Sequence, residues 1–249
     1  TFMEKISRDK ERVAAERLPA SVTSEPGIGG GYMFKIDRLD PGDSGISAGG
    51  RSLGWVYPKE DDATGAQVTW IRNYINSMND ALNAPDYADP VNGYARHIDV
   101  DSWIDHHLLN VLTLNADALR LSTYFFKTRG GKIEFGPIWD FDRSMESTDS
   151  RDDNPSTWSG GTNYFTYPWW NRLFTDENFW QKYIDRYFEL RDGPFATGNV
   201  HSIIDSMAAT LNESQVRNFQ RWSDQPRFGS YQGEVNHLKT WLSTRLNWM

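Results

Sequence analysis

The chain has 249 residues and a formal net charge of -8 at pH 7, with a pI near 5.1. This acidic balance argues against non-specific nucleic-acid binding, because contacts to phosphate groups need clustered lysine and arginine. The chain has no cysteine, which excludes disulfides and thiolate metal sites, and its mean hydropathy of -0.66 predicts no membrane span. Because residue 1 is threonine, we expect the chain to be a piece of a longer product.

The first 30 residues are predicted to form a separate segment ahead of a main domain at residues 31–249. Residues 2–18 are rich in charge and are predicted to form one helix with a solvated face. Residues 27–31, Gly-Ile-Gly-Gly-Gly, lack the G-K-[ST] ending of a phosphate-binding loop and therefore indicate a hinge or linker. No lysine-bearing sheet is predicted in this segment.

The next part of the chain is predicted to contain one strand and two helices. Residues 32–39 alternate enough for a strand, and a loop rich in Gly, Asp and Ser follows. In residues 67–82 apolar side chains recur at helical spacing, which predicts an amphipathic helix. A second helix begins at the cap signals of residues 99–101 and directs its C-terminal end toward Asp117.

A hairpin and four further helices are predicted after Asp117. A turn at residues 129–131 joins a strand at residues 123–127 to an apolar strand at residues 133–139. The polar run at residues 144–162 is typical either of a functional lid or of a disordered loop. Residues 176–249 show four helical patterns separated by Asp, Asn, Gly and Pro. The predicted fold class is therefore α+β, mostly helical, with a short β-hairpin.

Four residues around this hairpin are candidates for phosphoryl-transfer chemistry. Asp117 follows a helix and Asp140 precedes Phe141, which is the order of the catalytic and metal-binding aspartates in protein kinases. Ser122 lies five positions after Asp117, where kinases place a second metal ligand, asparagine. Asp142 would share a strand face with Asp140, so both could approach one Mg²⁺. Taken alone, each aspartate is typical of a helix cap or a solvated strand end.

Several motifs resemble the CotH kinase family, which is named for spore coat protein H. They occur at residues 94–127, 136–142, 168–174, 189–193, 217–222 and 234–242. The resemblance extends from about residue 31 to the end and implies an atypical kinase-like fold, with Asp117 as catalytic aspartate and Asp140 as metal-binding aspartate. The expected part is a mostly helical C-terminal lobe whose hairpin carries the site, with the N-terminal lobe absent or truncated.

The other candidate side chains indicate core packing. His106 and His107 lie in the second helix, and the remaining histidines show no H-x-x-x-H spacing, so we predict no histidine metal site. Trp169 and Trp170 could form a platform for sugar stacking, but the family resemblance implies that they pack below the site.

Three classes of function are compatible with these features. The first is an atypical kinase that uses ATP and Mg²⁺ to phosphorylate serine or threonine of a surface or secreted protein. In it, Asp117 would orient or deprotonate the hydroxyl, and Asp140 would hold Mg²⁺ with help from Asp142 or Ser122. The expected partners are ATP and the protein substrate, the expected location is secreted or cell-surface, and this chain alone is expected to be inactive.

The second class is a pseudokinase-like structural module of a cell-surface or coat assembly, which the serine at position 122 and the missing lobe favour. The third is a carbohydrate-active or carbohydrate-binding protein. It is the weakest of the three, because retaining glycosidases need two carboxyl groups about 5 Å apart, and no spacing in the sequence demands such a pair.

Overall fold

The computed structural model describes residues 6–147, 150–223 and 226–249, except for the side chain of Glu60. The regular structure of these residues consists mainly of seven α-helices and five β-strands. The strands are β1 (Tyr32–Ile36), β2 (Gly45–Ala48), β3 (Arg51–Tyr57), β4 (Thr123–Lys127) and β5 (Ile133–Phe135). The helices are α1 (Gly65–Asn83), α2 (Val100–Thr113), α3 (Trp170–Leu173), α4 (Glu177–Arg191), α5 (Thr197–Leu211), α6 (Ser214–Arg221) and α7 (Tyr231–Trp248). The chain is therefore α+β, as predicted.

The five strands form one antiparallel sheet in the order β2-β3-β1-β4-β5. Central β1 packs aromatic side chains with both neighbours: the ring of Phe34 lies 4.7 Å from that of Trp55 and 5.6 Å from that of Phe125. The predicted hairpin is present as β4 and β5, but it is one edge of this larger sheet. The sequence analysis expected a loop where β2 and β3 lie and expected β5 to continue to residue 139, and the structure corrects both points.

The N-terminal segment differs from its prediction, because residues 6–18 contain no helix; residues 2–5 of the predicted helix lie outside the described residues. The segment is held by tertiary contacts instead. Val13, Ala15 and Leu18 are buried, and the Leu18 backbone N–H donates to the Tyr57 hydroxyl at 3.0 Å. An irregular backbone with a turn at residues 10–12 and inward apolar side chains thus replaces the expected charged helix.

The glycine-rich residues 27–31 are part of the packed structure and do not form the predicted hinge or linker. Gly27–Gly29 form a 3₁₀ turn, and the buried Lys127 ammonium on β4 donates to the Gly29 carbonyl at 2.8 Å. A Cβ at Gly30 would lie 2.0 Å from the backbone N of Arg129, so only glycine fits this close approach of two backbones.

The two helices predicted ahead of Asp117 are confirmed. α1 begins with a capping box in which Thr64 and Gln67 exchange backbone-to-side-chain hydrogen bonds. It buries Ile71, Ile75 and Met78 on one face. α2 is preceded by Asp99, whose carboxylate accepts the Ser102 N–H at 2.8 Å.

Two compact units account for the described structure. The first consists of the chain up to His107, Asp117–Asp140 and Asn163–Gln181; the second consists of Leu108–Ala116, Phe141–Thr162 and Lys182–Met249. The four helices predicted after residue 176 are present as α4 to α7. Within the described residues, none of the helices is both long and apolar enough to cross a bilayer.

Trp169 and Trp170 pack in the core of the first unit, as expected. Both indoles are buried, and their rings lie 5.9 and 5.3 Å from the fully buried Trp103. Trp169 Nε1 also donates to the Gly49 carbonyl at 3.0 Å. This burial excludes the sugar-stacking platform.

Candidate functional site

The loop that carries Asp117 is fixed by its own hydrogen bonds. The Asp117 carbonyl accepts the Leu121 N–H at 3.0 Å, and the Asp117 carboxylate pairs with the Arg120 guanidinium. Two residues further, the Leu119 N–H donates to Thr123 Oγ1 at 3.0 Å. The loop therefore has a defined conformation between α2 and β4.

Arg51 at the start of β3 anchors this loop, and the sequence analysis did not identify it. Its guanidinium donates to the carbonyl of Leu119 and to the carbonyl of Pro168, each at 3.2 Å, and lies 5.3 Å from the Trp169 ring centre. Burial lowers the pKa of Arg51 from its usual value. Only the pairing of β3 within the sheet brings it to this position, so no local sequence signal could have revealed it.

Ser122 and Asp140 are brought together by the fold. Ser122 lies directly before β4 and is buried, and its hydroxyl donates to the Asp140 carboxylate at 3.3 Å. Both residues have left-handed backbones, with φ of 51° for Ser122 and 60° for Asp140. Such conformations are costly for residues other than glycine and concentrate at functional sites. The contact places a hydroxyl and a carboxylate oxygen side by side, as two hard oxygen ligands.

The sequence analysis expected strand geometry to put Asp142 on the same face as Asp140, and the structure has no strand at these residues. β5 ends at Phe135, so residues 136–142 lack the side-chain alternation that was expected to put Asp140 and Asp142 on one face. Asp142 belongs to the second compact unit, whereas Asp117, Ser122 and Asp140 belong to the first. Its role as a metal ligand stays a prediction, as does a shared cleft for Asp117 and Asp140.

The electrostatic potential near Asp140 is negative. Burial, together with the negative charges of Asp37, Asp43, Asp140 and Asp40, raises the pKa of the Tyr124 hydroxyl to about 12. Tyr124 is therefore a protonated, uncharged group at neutral pH. A surplus of carboxylates favours a bound cation, and oxygen ligands suit Mg²⁺, which keeps several waters and needs few protein ligands.

A lysine on the sheet ahead of Asp117 is the second residue that sequence reasoning missed. The expectation of no lysine-bearing sheet applied to the first 30 residues, and β1, which follows them, carries Lys35, whose ammonium lies 2.6 Å from the Asp43 carboxylate. Lys35 lies in the strand predicted at residues 32–39, so the sequence predicted the strand. It did not predict the five-stranded sheet to which this strand belongs.

His106 and His107 are core residues, as predicted. His106 and His107 are buried on α2, and burial lowers the pKa of His106 to about 4 and that of His107 to about 3. One ring nitrogen of His107 lies 3.1 Å from the Tyr164 carbonyl. Among the described residues, no group of three or more His, Asp or Glu side chains could hold a metal ion by itself.

Comparisons with known proteins place the whole chain in one family. No curated protein matches the chain. The family described as CotH kinase protein matches residues 3–249, which includes the N-terminal segment that the sequence analysis had set apart. The chain therefore belongs to the CotH kinase family.

Proposed function

We propose that this domain transfers the γ-phosphoryl group of ATP to a serine or threonine hydroxyl of a surface or secreted protein, with Mg²⁺ as cofactor. The observation that carries the proposal is the 3.3 Å contact between Ser122 and Asp140, at the end of the loop that begins with Asp117. Membership in a kinase family supports the same class of reaction.

Asp117 is the proposed base. In the transfer, the acceptor oxygen forms a bond to the γ-phosphorus while the bond from that phosphorus to the β–γ bridging oxygen breaks, and ADP leaves. Asp117 orients the acceptor hydroxyl and takes its proton. Its pairing with Arg120 and the hydrogen bonds of its loop limit its movement, which favours a repeatable position for the acceptor.

Asp140 and Ser122 are the proposed metal-holding pair, with Asp142 as a further proposed ligand. A bound Mg²⁺ would neutralise charge on the phosphate oxygens during transfer. The Asp140 carboxylate and the neighbouring Ser122 hydroxyl fit such an ion chemically, because both are hard oxygen donors. The acidic surroundings of Tyr124 add to the attraction for a cation.

Phosphate transfer from γ-labelled ATP to the protein itself and to a dephosphorylated acceptor such as casein tests the proposal. The sequence analysis expected this chain alone to be inactive, but the sheet strands ahead of Asp117 lead us to expect activity of the domain itself. The wild type should therefore label protein in the presence of Mg²⁺, and Asp117→Asn and Asp140→Asn should lower the rate by ~10²–10⁴-fold. Asp86→Asn, a change of the same kind at an exposed aspartate, should match the wild type. Undiminished labelling by Asp117→Asn would refute the assignment, and an inert wild type would favour the structural-module alternative.

A further inference from the structure

A pocket in the second unit is lined by α5, by α7 and by two loop segments, residues 144–147 and 227–228. Its volume is about 590 Å³. This volume lies within the roughly 300–1,000 Å³ of pockets that enclose a small molecule. Large apolar side chains make up much of its wall: Met145, Ile204, Met207, Leu211, Val235 and Leu238.

The polar side chains of the lining already have hydrogen-bond partners within the protein. The Glu146 carboxylate pairs with the His237 ring at 2.8 Å, and the Glu234 carboxylate accepts the Phe228 N–H at 2.8 Å. The Arg227 guanidinium donates to the Glu146 carbonyl at 2.8 Å. A ligand therefore meets mainly apolar surface. The hydroxyl groups of the lining also donate within the protein, namely those of Ser144, Ser147 and Tyr231.

The α5 wall of the pocket leaves apolar side chains open to water. Met207 is 62% exposed and Leu211, one turn further along the same face, is 52% exposed. Neighbouring exposed apolar side chains of this kind mark binding sites more often than single ones do. The flexible thioether of methionine also adapts to ligands of different shape. An apolar molecule in the pocket would remove this surface from water.

The loop wall of the pocket has a strained backbone. Met145 and Glu146 are consecutive residues with left-handed conformations, with φ of 59° and 62°. The Met145 N–H donates to the Thr113 carbonyl at 3.0 Å, and the Ser147 N–H donates to the Asp152 carboxylate at 3.0 Å, so hydrogen bonds hold the segment. Strain of this kind concentrates at ligand sites and switch regions. It points to a ligand independently of the apolar lining.

We infer that this pocket binds a small, uncharged and largely hydrocarbon molecule, with α5 and α7 around its body and Met145 against it. The lining residues of α5 extend from Ile204 to Leu211, which is about 10 Å along the helix axis, so an alkyl chain can lie along the two helices. The four-sided wall favours a small molecule over a second copy of the chain, which would need a flatter face. The inference does not depend on phosphoryl transfer.

Titration with N-phenyl-1-naphthylamine, an uncharged probe whose fluorescence rises in apolar surroundings, tests this inference without nucleotide or metal. The wild type should bind the probe saturably, and 1-octanol should displace it. Ala208→Phe, which fills the pocket from α5, should weaken probe binding by about 10-fold or more. Ala209→Phe is the matched control, because the next residue of α5 is exposed and does not line the pocket, so it should bind as the wild type does.

Met207→Lys is a second variant that should fold, because the side chain it replaces is exposed. A charge at the open wall should weaken probe binding, whereas Val216→Lys, at a 49% exposed position of α6, should not. A wild type without saturable binding overturns the inference, as do Ala208→Phe and Met207→Lys proteins that both bind as the wild type does. Self-association that Met207→Lys abolishes, without probe binding, assigns the face to a second copy of the chain and likewise overturns it.

Amide hydrogen exchange tests the part assigned to the loop wall. A saturating concentration of 1-octanol should slow exchange of the Met145 and Ser147 amides, because a ligand against this segment supports its strained conformation. The Ile71 amide of α1, in the first unit, is the control and should exchange at the same rate with and without 1-octanol. Unchanged exchange at both loop amides overturns the inference.

Discussion

At the scale of single residues, the candidate site stands out by its backbone. Leu119, Ser122, Asp140 and Trp169 all have φ between 51° and 74° without being glycine. For such residues the left-handed conformation costs on the order of 1–2 kcal/mol, so surrounding contacts must hold it. The sequence identified Ser122 and Asp140 by spacing, but it gave little sign of these conformations, because aspartate is the only one of the four residue types that is enriched in them.

Ser122 offers a test of metal holding that leaves the proposed base in place. Ser122→Ala removes the hydroxyl that contacts Asp140 and should raise the Mg²⁺ concentration for half-maximal transfer on the order of 10-fold. Ser122→Asn restores an oxygen ligand, and asparagine tolerates a left-handed backbone, so its Mg²⁺ requirement should equal or fall below that of the wild type. Phosphate transfer measured against Mg²⁺ concentration checks both expectations.

Ser206→Ala, at an exposed position of α5, serves as the control for this pair and should leave the Mg²⁺ curve unchanged. If both Ser122 variants follow the wild-type curve at every Mg²⁺ concentration, Ser122 is no ligand. Its hydroxyl, directly before β4, would then only hold the Asp140 carboxylate in place.

At the scale of elements, local patterns predicted the helices well. Apolar spacing located α1 and α2, and the cap residues Thr64 and Asp99 hydrogen-bond as such residues do at helix starts. Helix formation depends on neighbours three and four positions away, which a single sequence displays. The same reasoning found α4 to α7.

The strands β2 and β3 and the N-terminal segment depend on distant partners, and there the sequence analysis failed. β2 alternates but is only four residues long, too short for its pattern to predict a strand, and β3 contains Gly54, which weakens its pattern. Residues 6–18 carry helix-favouring residues, yet contacts such as Leu18 to Tyr57 and Glu16 to the Arg129 N–H hold them in a non-helical conformation. Tertiary contacts override weak local propensity in such segments.

Arg245 of α7 shows how one buried residue can hold several elements of the second unit. Its side chain is fully buried, and its guanidinium donates to the carbonyls of Val111 at 2.6 Å and Leu112 at 3.2 Å near the end of α2. It also donates to the carbonyls of Pro155, at 3.0 Å, and Thr157 in the polar run. One side chain thus satisfies four backbone acceptors.

Arg245→Leu should lower the free energy of unfolding by at least about 3 kcal/mol, because it removes the donor to the buried Leu112 carbonyl and to the two partly buried carbonyls of the polar run. Arg245→Lys should recover little, since an ammonium cannot reproduce the planar fork of donors. Arg217→Leu is the matched control: Arg217 is 64% exposed and pairs with Glu213, so its loss should cost no more than about 1 kcal/mol. Urea unfolding measures all three. Equal costs at the two arginines would contradict the role assigned to Arg245.

At the scale of the whole molecule, the first unit is assembled from three separate parts of the chain. Its sheet pairs β1 with β4 and β5 with β4, so residues on both sides of α2 meet in one layer. A single sequence displays periodicity within segments but not which distant segments pair. The sequence therefore predicted the hairpin correctly as a local unit. It did not predict that the hairpin lies at the edge of a larger sheet, nor where Lys35 lies in that sheet.

The buried histidines of this unit should make the stability of the protein depend on pH. Burial lowers the pKa of His97 and His106 to about 4 and that of His107 to about 3, whereas unfolded histidine titrates near 6.5. As pH falls below about 6.5, the unfolded chain therefore binds protons that the native state cannot bind until about pH 4. Unfolding should become easier by as much as about 1.4 kcal/mol per pH unit for each histidine. Urea unfolding between pH 7.5 and 5, above the range in which most carboxylates titrate, measures this slope.

The variant His107→Gln tests the origin of the slope. Glutamine keeps a group able to hydrogen-bond the Tyr164 carbonyl but does not titrate, so this variant should flatten the slope. The control Asn83→Ala, at an exposed position of α1, should leave it unchanged. A wild-type slope of zero over this range would show that these imidazoles accept protons in the native state.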